Sequence, residues 1–128
     1  MDMYREAILD HSREPRNWGL LDPADVRHEE KNPLCGDRLE LTLRLKEGHI
    51  TEVGWDGEGC AISRASASML GETLVGLTLE EARAISKEDI LDLLGIELGP
   101  VRLKCALLSL KVLKVGAYGL AGWHADDE

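Results

Sequence analysis

The chain has 128 residues, enough for one compact domain and too few for a cofactor domain beside a substrate domain. Its core must be aliphatic, because 44% of residues are hydrophobic, only 4% are aromatic and Phe is absent. With 15 Lys and Arg against 24 Asp and Glu, the formal charge is −9, which argues against gripping nucleic acid or docking on anionic lipid.

In chain order, residues 3–12 place Met3, Ala7, Ile8 and His11 at helical spacing. Pro15-Arg16-Asn17-Trp18-Gly19 then forms a turn. Val26 to Lys31 is a short edge strand, and Asn32-Pro33-Leu34-Cys35-Gly36-Asp37 is a loop by composition. Leu39, Leu41, Leu43 and Leu45 alternate with Glu40, Thr42 and Arg44, the period of a half-buried strand. Glu47-Gly48 turns the chain, and Ile50 to Trp55 returns as the second arm of an antiparallel hairpin. Gly57-Glu58-Gly59 ends the sheet.

A helix rich in small residues runs from Cys60 to Val75. Thr78 and Glu81 have capping-box spacing, Ser86 starts a short helix that ends at Gly95, and Pro100 opens a last helix to about Val115. Strands first and helices after imply an α+β fold, with helices on one face of a small antiparallel sheet. Residues 1–115 form one domain on this reading, and the Gly-rich acidic stretch 116–128 is a frayed tail, with Trp123 and His124 unassigned. No apolar run approaches the roughly 18–20 residues of a membrane span. The polar N-terminus lacks a signal-peptide layout, and the odd number of cysteines fits a reducing compartment, so the expected location is cytoplasmic.

Three cysteines, Cys35, Cys60 and Cys105, stand far apart in sequence, with no CxxC motif. Each falls at an element boundary: Cys35 in a Pro/Gly loop, Cys60 at a helix N-terminus after Gly59, and Cys105 in the first turns of the last helix. They are either three buried small hydrophobes or three parts of one metal or sulfur site. Asp37, two residues after Cys35, is the nearest fourth ligand, and equally a residue that stabilises a turn. His11, His28, His49 and His124 are weaker candidates: His11 suits a helix C-terminus, His49 a hairpin turn and His124 the tail. Three thiolates and one carboxylate make a cage with one hard, exchangeable corner, suited to contents that must leave.

The segments Pro15-Arg16-Asn17-Trp18-Gly19, Asn32-Pro33-Leu34-Cys35-Gly36-Asp37, Gly57-Glu58-Gly59-Cys60-Ala61-Ile62-Ser63 and Arg102-Leu103-Lys104-Cys105-Ala106 together resemble the U-type iron–sulfur cluster scaffolds: IscU, SufU and the N-terminal portion of NifU. The resemblance runs from Tyr4 to about Leu113. It implies a three-stranded antiparallel sheet with packed helices, and Cys35, Asp37, Cys60 and Cys105 as ligands of a labile [2Fe–2S] cluster or of zinc. The implied partners are a pyridoxal-phosphate cysteine desulfurase, with Cys105 as persulfide acceptor, and apo iron–sulfur recipient proteins. As a carrier the chain would be a non-enzymatic scaffold; as a SufU-type member it would be a zinc-dependent sulfurtransferase.

Features of both types are present. Lys104 stands where IscU-type members have histidine, which is SufU-like, and its side chain either extends into solvent or pairs with Asp37. The step from Cys60 to Cys105 lacks the usual SufU insertion. IscU-type members offer Leu-Pro-Pro-Val-Lys to a chaperone; the corresponding segment here is Leu98-Gly99-Pro100-Val101-Arg102.

Overall fold

A computed structural model describes residues 3–32 and 36–118. The order is α1 (Met3–Arg13), β1 (Val26–Asn32), β2 (Asp37–Lys46), β3 (His49–Glu58), α2 (Ala61–Leu74), α3 (Leu79–Arg83), α4 (Lys87–Leu94) and α5 (Pro100–Tyr118). The strands form one antiparallel sheet in the order β1-β2-β3. This is the α+β architecture that the run of strands and then helices implies, and the helices cover one face.

The leucine alternation of β2 explains that layering. Leu39, Leu41 and Leu43 are fully buried beneath α2 and α5, while Arg38, Glu40 and Arg44 face outward. Ile50, Val53 and Trp55 extend the same buried face across β3. A register shift at Arg44/Leu45 leaves Thr51 and Glu52 both exposed, so β3 departs from strict alternation through a bulge. The outer face carries ion pairs between neighbouring strands, including Arg27–Glu40 at 2.6 Å and Arg44–Glu52 at 2.8 Å.

Residues 17–21 strap the free edge of β3. Trp55 donates its amide to the Asn17 carbonyl at 2.8 Å, and its carbonyl accepts from Gly19 at 2.7 Å. The Leu21 amide then reaches Thr42 Oγ1 at 3.0 Å on the outer face. A methyl group at Gly54 would stand 2.3 Å from the Gly19 carbonyl oxygen, so the strap requires glycine there.

Several boundaries differ from the sequence expectation: Asn32 ends β1 and Asp37 opens β2, both expected in the loop between them, and α2 spans Ala61–Leu74 rather than Cys60 to Val75. Strand β3 runs through Gly57 and Glu58, because both pair with β2 opposite Leu39 and Arg38. Helix α5 continues past Val115 through Gly116 to Tyr118. A Cβ at Gly116 would stand 3.0 Å from His28 Cβ, so the missing side chain lets the helix lie close against β1. Tertiary packing outweighs glycine's low helix propensity there. The remainder of the expected tail, with Trp123 and His124, lies outside the described residues.

Candidate metal centre

Asp37 opens β2 on the same side as Leu39, so the strand's period turns its carboxylate inward at the end of the sheet, where it is 4% exposed. Cys60 is the N-cap residue of α2, two residues beyond the end of β3, with Gly59 between. Cys105 lies one turn and a half into α5 and is 2% exposed. The carboxylate of Asp37 and the sulfurs of Cys60 and Cys105 all lie within 4.8 Å of one another.

Gly59 makes that approach possible. A Cβ added to it would stand 3.0 Å from Asp37 Cγ and 3.2 Å from Ser63 Cβ. The carboxylate is held from α2: the Cys60 amide donates to Oδ1 at 3.3 Å, and the Ser63 hydroxyl donates to Oδ2 in a short hydrogen bond. Cys60 Sγ lies 3.6 Å from the same Oδ2 and 3.7 Å from Ser63 Oγ. Ser63 Oγ is also 3.3 Å from the Cys105 carbonyl oxygen. One turn further along, Ser66 donates to the Ala106 carbonyl at 2.6 Å and meets Ser109 Oγ at 2.8 Å. These buried serines tie α2 to α5 beside the thiols.

The cation nearest in sequence to Asp37 faces the other way. Arg38 points to the outer face, where it donates to Glu29 at 2.6 Å and Asp56 at 3.3 Å. These hydrogen bonds, Glu29's first, hold its guanidinium above the usual arginine range. Two sulfurs and a hydroxyl lie close to the Asp37 carboxylate.

Of the four ligands expected from the resemblance, the structure brings Asp37, Cys60 and Cys105 together. Cys35 lies outside the described residues. The described histidines stand elsewhere. His11, in the last turn of α1, packs on α2, with Nδ1 2.7 Å from Ser68 Oγ and Nε2 3.5 Å from Glu72. His28 pairs with Glu30 beneath α5, and His49 begins β3 with Nδ1 3.2 Å from the Glu47 carbonyl. His124 is outside the described residues, and Lys104 is exposed on α5. Sequence reasoning gave no role to Ser63. The signal was its position three residues after an N-cap, which turns the side chain back over the helix start.

The donor set suits a thiophilic ion. Zinc takes thiolate sulfur at about 2.3 Å and carboxylate oxygen at about 2.0–2.2 Å, which puts two sulfurs on one tetrahedral ion about 3.8 Å apart. Separations of up to 4.8 Å lie close enough that small side-chain rotations bring the donors onto one ion.

Comparison with known proteins agrees with this geometry. The NifU-like N terminal domain family matches residues 3–124. The zinc-dependent sulfurtransferase SufU of Bacillus subtilis is 38% identical, over 89% of this chain and 88% of that protein. The iron–sulfur cluster assembly scaffold protein IscU of Thermotoga maritima is 36% identical, over 88% of this chain and 90% of that protein. Among solved structures, the SufU protein of Fervidobacterium islandicum AW-1 superposes with a TM-score of 0.78 at 28% identity, covering 88% of this chain and 94% of that one. Three strands, the helices on one face and an Asp–Cys–Cys cluster with Asp37 and Cys105 buried thus coincide with sequence likeness along nearly the whole chain, and the chain belongs to the NifU-like N terminal domain family.

Proposed function

We propose that this chain is a scaffold for iron–sulfur cluster assembly. It takes sulfur from a cysteine desulfurase, holds a labile [2Fe–2S] cluster as cargo on Cys35, Asp37, Cys60 and Cys105, and releases it to apo recipient proteins. One observation carries this reading: the Asp37 carboxylate and the thiols of Cys60 and Cys105 converge at the junction of β2, α2 and α5. Cys35, two residues before Asp37 in the chain, is the fourth donor. Among the described residues no helix is long and apolar enough to cross a membrane. The cytoplasm, with its reducing thiol pool, suits three cysteines held as thiols.

The sulfur step is a thiol–persulfide exchange. The Cys105 thiolate attacks the outer sulfur of the desulfurase persulfide, the donor's sulfur–sulfur bond breaks, and the donor cysteine departs as thiolate. Cys105 then carries the persulfide, with no net oxidation or reduction. Because Cys105 is buried while Cys60 is half-buried, the donor must displace groups at the α2–α5 seam to reach it. The carboxylate is the hard corner of the cage, so it exchanges fastest and lets cargo leave.

A second reading, a zinc-binding sulfurtransferase that relays persulfide sulfur, is favoured by the 38% identity to the Bacillus subtilis protein and by Lys104 before Cys105. In that case Cys35, Asp37, Cys60 and Cys105 hold zinc, which would act as a Lewis acid and structural anchor when bound.

Anaerobic reconstitution with a cysteine desulfurase, iron and cysteine, with and without zinc, separates the two. A scaffold forms a visible chromophore that is lost in Cys35→Ser, Cys60→Ser or Cys105→Ser and moves to an apo-ferredoxin. In Asp37→Ala the chromophore is expected to persist several-fold longer, and equal lifetimes would remove the labile corner from the mechanism. Stoichiometric zinc that iron fails to displace, together with faster desulfurase turnover, identifies the relay.

A further inference from the structure

Ser63 is completely buried, contacts the Asp37 carboxylate, the Cys60 sulfur and the Cys105 carbonyl oxygen, and is not itself one of the three described ligands. A hydroxyl has one proton to donate. Three acceptors lie in reach, Asp37 Oδ2, the Cys105 carbonyl oxygen at 3.3 Å and Cys60 Sγ at 3.7 Å. The geometry commits the proton to the carboxylate. The Cys105 carbonyl has the ordinary helical partner open to it, so it does not depend on the serine.

The Asp37 carboxylate is fixed at both oxygens by α2, with Oδ1 on the Cys60 amide and Oδ2 on Ser63. Cys60 reaches the same group through its amide at Oδ1 and its thiol at Oδ2, but a thiol is a weak donor. The Ser63 hydroxyl is the stronger restraint on the soft terminal torsion and keeps Oδ2 3.6 Å from Cys60 Sγ. Each carboxylate oxygen has two lone-pair sites; Oδ2 accepts from the serine and from the Cys60 thiol, and the second site opens to an ion once Cys60 binds as thiolate.

We propose that Ser63 is the positioning residue of this centre: its hydroxyl orients the Asp37 carboxylate toward the thiols of Cys60 and Cys105. The inference rests on the reading of these residues as a metal-binding centre. It differs from a general packing role, because Ser63 acts on the ion chiefly through Asp37, its contact with Cys60 Sγ being the longer one at 3.7 Å. Partners that orient a metal ligand typically carry about 10- to 100-fold in metal affinity.

The test is a cycle of Ser63→Ala and Asp37→Ala, singly and together, in the full chain. Zinc affinity of the metal-free protein is measured by competition with a chromophoric chelator. Serine to alanine keeps every hydrogen bond of the helix backbone and favours helix, so all four proteins are expected to fold, and far-UV circular dichroism checks this. Ser63→Ala is expected to weaken zinc about 10- to 100-fold. In the Asp37→Ala background the same change should have no effect, because no carboxylate remains to be oriented. Zinc affinity counts ligands at equilibrium, whereas cluster lifetime follows the fastest-exchanging corner, so this expectation and the longer-lived Asp37→Ala cluster are compatible.

A second readout needs no metal. The Cys60 amide donates to Asp37 Oδ1, so its ¹H–¹⁵N resonance reports the carboxylate's orientation. It should move in Ser63→Ala and be insensitive to Ser63→Ala once Asp37 is alanine. Unchanged zinc affinity in Ser63→Ala, or equal losses in both backgrounds, would overturn the proposal. Should wild-type protein fail to bind zinc while the Cys60 amide behaves as expected, the metal-centre reading falls and the orienting contact stands.

Discussion

The beginnings of three helices differ in a way that tracks function. Helices α3 and α4 each start with a complete capping box, Thr78 with Glu81 and Ser86 with Asp89, in which side chains satisfy the first backbone amides. Helix α2, the one at the candidate metal centre, starts at Cys60 with no side-chain cap hydrogen bond. Its N-cap amide turns instead to Asp37, 23 residues earlier in the chain. At α3 and α4 the sequence neighbours do the work. At α2 a local stabilising device is absent, and the position is given to a thiol. The uncapped start leaves donors and the positive end of the helix dipole facing the carboxylate.

The turns leading into the two regions differ as well, and glycine substitutions expose this with the largest expected effect. Gly57 lies against β2 on the approach to Cys60, and a Cβ there would stand 2.0 Å from the Arg38 carbonyl oxygen. Gly48, in the turn beyond the opposite end of β2, has φ +80° and nothing within 4 Å of such a Cβ. Gly57→Ala is therefore expected to cost about 3 kcal/mol, because backbone must move. Gly48→Ala should cost only about 1 kcal/mol, the penalty for a left-handed conformation with a side chain. Urea midpoints with unchanged slopes measure both. Equal losses would show that the metal-centre end is no more tightly constrained than the far turn.

Reciprocal changes at the caps come next in size. Ser86→Ala removes the α4 cap and is expected to lower stability by about 1 kcal/mol. Cys60→Ser places a good N-cap residue at the start of α2, so the metal-free protein should gain about 0.5–1 kcal/mol while losing a ligand. Thermal unfolding of the metal-free proteins beside zinc titration reads both effects. A Cys60→Ser protein no more stable than wild type would mean that the Cys60–Asp37 contact already supplies what a cap would.

The same local-versus-distant distinction explains what was legible from sequence. The leucine alternation of β2, the capping boxes and the glycine after α4 are rules spanning two to four residues, and the structure follows them: Gly95 takes the left-handed conformation. What the pattern missed depends on contacts between distant parts. Gly116 sits inside α5 because His28 of β1 packs against it, and Gly57 stays in β3 because Leu39 pairs with it. The candidate centre was legible as residue types at boundaries. Its convergence needed the fold, and Ser63 became visible only when α2 was laid beside Asp37.

The smallest effect lies at the far cap and separates charge from shape. The Thr78 backbone amide, then its side chain, hydrogen-bonds with Glu81 and holds that carboxyl below the usual glutamate range. A carboxyl with a lowered folded-state pKa favours the native state while it is ionised. That contribution is fully present above the ordinary glutamate value and is lost as pH falls through the lower, folded value. Glu81→Gln keeps the shape and an acceptor oxygen but never carries the charge. Wild type should therefore unfold at a slightly higher temperature than Glu81→Gln near pH 7, with the gap closing as pH drops below about 4. A gap that stays constant across this range would show that the box holds α3 by hydrogen-bond geometry alone. A closing gap would show that α3 draws on the charge–dipole interaction which α2, by starting at Cys60, directs to Asp37.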